Sequence, residues 1–270
     1  MKKILLSLFT LGVVAIVAVF ATQAFFSDTE TSTGNLFQAG ALDLKVDNTC
    51  YYNKLADGQP NCPTPSPNPE GIVTTWEQTD LGLRHKFFWF DDVKPGDYGE
   101  DTISLHVDND AWLRLLIVVR ADEDVDCTGP ESAVGIVLDP ECGAPTPTPG
   151  AGELQENLLF SMWLDQGVTP GFQGPEDLSE CDNDRPGIAD IDQLEPIIIS
   201  EGPIDPQGET WELEDFPLYP YLKAGDKACF GVAWRLPSEV GNEVQTDRFL
   251  GDMTFQVQQH RNNPTPTWTP

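Results

Sequence analysis

The run Asp182-Asn183-Asp184, with Asp190 and Asp192 close behind, sets four carboxylates at alternating places along one short stretch of this 270-residue chain. Hard oxygen ligands spaced in this way can wrap a calcium ion, and Gly187 lets the chain bend around it. Counted from Asp182, the sixth position holds the glycine that an EF-hand loop needs. The twelfth position holds Gln193 instead of glutamate, Glu195 comes two residues later, and Pro186 interrupts the loop. Calcium at Asp182, Asp184, Asp190 and Asp192 is therefore an expectation that competes with a plain solvated acidic loop. No other cofactor is implied.

Six cysteines offer the second kind of chemistry. Cys50 and Cys62 bracket one polar loop, and Cys127 and Cys142 bracket another, so two local disulfides are expected. Cys181 and Cys229 remain as a long-range pair, although six cysteines allow fifteen pairings. There is no CxxC and no Cys/His cluster, which argues against a zinc site. The three histidines (His85, His106 and His260) are scattered, and no HExxH, GxSxG, GxGxxG or GxxxxGK[ST] occurs. Hydrolytic and phosphate-binding chemistry has no sequence support, and no catalytic residue is assigned.

The elements that would position these residues read as strands. Alternation is clearest at Ile103-Leu105-Val107, at Ala228-Phe230-Val232-Trp234-Leu236 and at Met253-Phe255-Val257. His106 then falls on the face opposite Ile103, Leu105 and Val107. The near-continuous runs Phe87–Phe90 and Trp112–Val119 predict strands buried on both sides or helped by a neighbour. Lys94-Pro95-Gly96-Asp97 is a turn, because proline fixes φ at its second position and glycine accepts positive φ at its third. Glu153–Trp163 is the one candidate helix, and its second half suits a strand equally well. Tracts Pro63–Pro69, Pro145–Pro149 and Pro264–Pro270 are expected to be extended and solvated. A formal charge of −29 leaves no basic footprint for nucleic acid. It favours soluble, mutually repelling monomers with room for cations between them.

The chain opens with Lys2 and Lys3, an apolar run from Ile4 to Phe20, and small residues at Ala21 and Ala24. This is the pattern of an export signal over 1–24, with cleavage between Ala24 and Phe25. The apolar run is also at the lower edge of a membrane span, so an uncleaved anchor is the alternative. Beyond the cleavage point lie Phe25-Phe26, a polar stretch to Thr33, Leu36-Phe37, and a period-2 strand with Leu42, Leu44 and Val46 on one face.

That junction resembles the TasA/camelysin family of exported proteins, which carry SipW-type signals processed by a dedicated signal peptidase and assemble into extracellular fibres. The resemblance recurs at Asp92–Glu100 leading into Ile103–Asn109, at Leu236–Asp247, and at Gln258–Asn263. It implies an all-β, jelly-roll-like β-sandwich over 25–263, preceded by the signal helix and followed by a Pro/Thr-rich tail at 264–270. The stretches of about 50–75 and 125–205 are expected as long loop insertions. The resemblance further implies a secreted fibre or biofilm-matrix subunit. Its partner would be a second copy, joined head to tail by a donor strand carrying Phe25, Phe26, Leu36 and Phe37, with accessory matrix proteins as further partners. Self-insertion of that strand is the simpler alternative. A cell-surface adhesion or ligand-binding module is the rival function. Camelysin relatives have been classed as metallopeptidases, but the motifs above supply no ligand set for that activity.

Overall fold

The computed structural model describes residues 27–31, 42–53, 62–145, 150–165, 197–215, 220–225 and 227–268. The described strands are β1 (Ser27–Thr31), β2 (Leu44–Tyr52), β3 (Trp76–Thr79), β4 (Tyr98–Val107), β5 (Ala111–Asp124), β6 (Leu159–Asp165), β7 (Ile197–Gly202), β8 (Glu209–Glu212), β9 (Lys227–Arg235) and β10 (Asp247–Gln259). Two one-turn helices, α1 (Gly129–Ser132) and α2 (Leu154–Asn157), lie between β5 and β6. The strands form two antiparallel sheets, ordered β1-β10-β5-β8 and β3-β2-β4-β9-β6-β7.

The sheets face each other across one apolar core. Leu44, Val46, Ile103, Leu105, Phe230 and Val232 come from the larger sheet, and Leu113, Leu115, Met253, Phe255 and Val257 from the smaller. Each set follows the period-2 pattern read from the sequence, because alternate side chains of a strand share one face. His106 turns outward and meets Asp47 at 2.6 Å. The Lys94–Asp97 turn closes through Asp97 N donating to the Lys94 carbonyl at 2.9 Å, with Gly96 at φ 95°.

β9 departs from simple alternation. Cys229 and Ala233, on its other face, are as buried as Phe230 and Val232. The strand is interior, between β4 and β6, and a Cβ added at Gly231 would lie 2.1 Å from the Trp163 ring. Glycine is thus what lets the indole lie flat against the backbone.

Two expectations are corrected. Phe87–Phe90 forms no strand: Phe87 is buried against Phe255 while Trp89 is exposed, and the run has no ladder partner among the described residues. The stretch 125–205 is not one insertion, since β6 within it is an interior strand of the larger sheet. The segment Glu153–Trp163 takes both of its expected forms, with α2 at its polar start and a strand, β6, from Leu159 onward. The tail is also less free than its composition suggests. Thr267 exchanges two hydrogen bonds with the Gln258 side chain at 2.7 and 3.1 Å, and Trp268 lies 5.1 Å from the Arg114 guanidinium carbon. Among the described residues no helix is long and apolar enough to cross a membrane.

Candidate functional site

β1 is an edge strand. It pairs with β10 from Ser27↔Gln258 to Thr31↔Thr254. β10 is much longer, and on its other side it follows β5 from Gln259↔Ala111 to Asp247↔Asp124, with Arg120 as the extra residue of a bulge opposite Leu250/Gly251. From Asp247 to Met253 the outer edge of β10 therefore has no strand partner among the described residues. An unpaired edge offers backbone N–H and C=O groups to any further strand.

An apolar cavity of about 520 Å³ lies behind this edge. Phe249, Leu250, Gly251, Asp252 and Met253 all line it. Five consecutive strand residues can share one cavity only where it reaches the strand edge, because neighbouring side chains point to opposite faces. Its aromatic wall is continuous: Phe88 packs on Phe160 at 6.1 Å, Phe160 on Phe249 at 6.3 Å, and Phe90 on Trp234 at 4.7 Å. At the rim, Arg120 pairs with Asp252. An aromatic, concave pocket with a sparse polar rim suits apolar side chains.

The residues expected to use this seat lie outside the described residues. These are Phe25, Phe26, Leu36 and Phe37, together with the cleavage point Ala24/Phe25. Asp182, Asp184, Asp190 and Asp192 are outside them too, as is Cys181. The Cys50–Cys62 and Cys127–Cys142 disulfides are formed. Cys229 is buried on β9, 3.6 Å from Ser104 Oγ. The histidines stay apart. His106 is on Asp47, the Nδ1 of His85 accepts from Gly82 N at 2.8 Å, and His260 stacks on Tyr221 at 4.0 Å.

A second constellation had no counterpart in the sequence reading. Asp124 ends β5, Glu131 lies in α1, Asp139 and Glu141 precede Cys142, Glu153 precedes α2, and Asp247 begins β10. Asp124, Glu131 and Asp247 each place an oxygen within 4.8 Å of the other two, as do Asp139, Glu141 and Glu153. Backbone donors hold parts of this cluster. Glu153 N and Leu154 N donate to Asp247 Oδ2 at 2.6 and 2.8 Å, Thr128 N to Glu131 Oε2 at 2.8 Å, and Cys142 N to Asp139 Oδ1 at 2.7 Å.

The crowding has an electrostatic consequence. Burial, and then the charge of Asp247, push the Glu153 carboxyl up to about 8. Burial raises Asp247 to about 7 against the pull of the Leu154 and Glu153 amides. Asp124 and Glu131 are raised as well, by burial first and by their acidic neighbours after it. A signal was present in the acidic spacing 124, 131, 139, 141 and 153 around two cysteines. Asp247, from the far end of the chain, was beyond the reach of any local motif. Compared with family models and with curated proteins, the chain matches none.

Proposed function

We propose that this chain is a secreted structural subunit that polymerises by strand donation, as the TasA/camelysin resemblance implies, on a jelly-roll form of the two-sheet sandwich. The segment 25–37 of one copy adds to the open edge of β10 in the next, and its apolar residues Phe25, Phe26, Leu36 and Phe37 enter the cavity behind that edge. The observation that carries this reading is the coincidence of a seven-residue edge, unpaired among the described residues, with an aromatic cavity reaching it. Main-chain hydrogen bonds supply affinity and alternate side chains set register. A head-to-tail contact of this kind does not close on itself, so it builds a filament. β1 rests on its own β10 at Thr254–Gln258 in the monomer, so donation requires the segment 25–37 to leave that pairing for the edge Asp247–Met253 of a neighbour.

The test is electron microscopy of the chain from Phe25 onward, beside a version lacking residues 25–37. Filaments from the first and none from the second are expected. Filaments from the truncated form would rule out strand donation.

A second reading is favoured by one observation. The loop closed by Cys127–Cys142 exposes Ile136, Val137 and Leu138, with Val137 87% exposed. Such a rigid apolar tip suits an adhesion surface. Binding of the monomer to a glycan array or to cells, abolished by Val137→Asp, would support this reading over a purely scaffolding role.

A further inference from the structure

Six carboxylates from five separate segments converge at the end of the β5/β10 pair, and none of the ion pairs among the described residues reaches any of them. Two members are more than nine-tenths buried and have oxygens with no donor. Asp124 is 4% exposed and its Oδ1 has no hydrogen-bond partner; Asp139 is 1% exposed and its Oδ2 has none. The other Asp124 oxygen is 2.8 Å from Cys142 Sγ. That sulfur is bonded to Cys127, so it carries no proton to donate. Asp124 and Asp139 thus each place one buried oxygen without a donor in a crowded acidic pocket, an arrangement costly in a protein interior unless a proton or a cation sits there.

We infer that this pocket, built on Asp124, Glu131, Asp139, Glu141, Glu153 and Asp247, binds a hard divalent cation, calcium by its coordination preference. Oxygens ligating one calcium at about 2.4 Å stand no more than about 4.8 Å apart. The two carboxylate triads meet that limit. The donor set is all oxygen, because both local sulfurs are consumed in a disulfide and no histidine joins the cluster. This chemistry disfavours zinc. Magnesium prefers one or two carboxylates with several waters in a strict octahedron, whereas calcium accepts many carboxylates in irregular geometry. The ion would tie the disulfide-closed loop and the start of α2 to the ends of β5 and β10. This inference stands apart from the polymerisation reading, since it concerns the monomer.

The experiment is calorimetric titration of calcium chloride, and separately magnesium chloride, into the chelator-treated chain from Phe25 onward, with thermal unfolding of the same samples. Saturable calcium binding is expected, at least about tenfold tighter than magnesium. A hundredfold excess over the dissociation constant should raise Tm by roughly 5–10 °C. The double variant Asp124→Asn, Glu131→Gln should lose that response, yet melt no lower than the parent in chelator, because it removes two like charges from a crowded site. Glu141→Gln, at the rim, should bind about tenfold more weakly. Asp182→Asn with Asp184→Asn should leave the response intact. The inference is overturned if calcium neither binds nor shifts Tm, or if the response follows Asp182 and Asp184 instead of Asp124 and Glu131.

Discussion

Asp101 and Glu100 are neighbours on β4 and project to opposite faces, both with no solvent exposure. Burial drives each carboxyl well above its ordinary range, and for Glu100 the Asp101 charge adds to this. Asn48 Nδ2 donates to Asp101 Oδ1 at 2.6 Å, a bond that acts against the shift. Each group thus releases its proton at a higher pH in the folded state than in the unfolded chain. Their contribution to stability is therefore full below the unfolded value and is lost as pH rises toward the folded one. Asp101→Asn keeps an acceptor for Asn48 and has no proton to lose. Its stability advantage over the parent should grow with pH by up to about 1.4 kcal/mol per unit in that interval. Thermal unfolding of both proteins from about pH 4 to pH 8 checks this; parallel curves would remove Asp101 as a titrating group. Asp97 works in the opposite sense. Hydrogen bonds from Tyr52, Asn53 and Lys94 N outweigh its burial and lower its carboxyl, so its contribution fades only in acid.

At the scale of elements, β10 is paired unequally on its two sides. The strand runs from Asp247 to Gln259 against β5, while β1 covers only Thr254–Gln258 on the other side. The bulge opposite Leu250/Gly251 turns Leu250 outward, and it is 45% exposed beside the cavity. Leu250→Asp should therefore cost the monomer little, within about 1 kcal/mol. If strand donation occurs as proposed, the substitution would place a charge where the donated strand buries apolar side chains, and filament yield by sedimentation should fall at least about tenfold. A variant that polymerises normally would move the docking edge elsewhere. The alternation of β4, β9 and β10 was legible in the residues, because a half-buried strand must write its face at every second position. Phe87–Phe90 shows the limit of that logic: a run of aromatics states that burial is needed, not that a ladder partner exists.

For the whole molecule, a formal charge of −29 sets the terms of association. Subunits so acidic repel over a Debye length of about 10 Å at 0.1 M salt. If growth joins subunits through short-range strand pairing, raising sodium chloride from about 0.02 M to 0.5 M should speed filament growth, read by light scattering. Growth that slows with salt would mean that attractive charge pairs hold the joint. The Cys50–Cys62 disulfide is tied to β2 of the larger sheet and Cys127–Cys142 follows β5 of the smaller, so each sheet carries one covalent loop closure.

By itself the sequence determined the all-β character, the faces of the main strands and the two local disulfide pairs. Each of these is recorded in spacings shorter than about sixteen residues, where side-chain period and loop closure act directly. Tertiary structure alone decided that β6 is interior, that β10 has no partner along Asp247–Met253 among the described residues, and that Asp247 joins Asp124 and Glu131. These depend on which distant segments become neighbours. Burial and low dielectric then convert scattered, ordinary carboxylates into one strongly coupled group, and no local pattern encodes that.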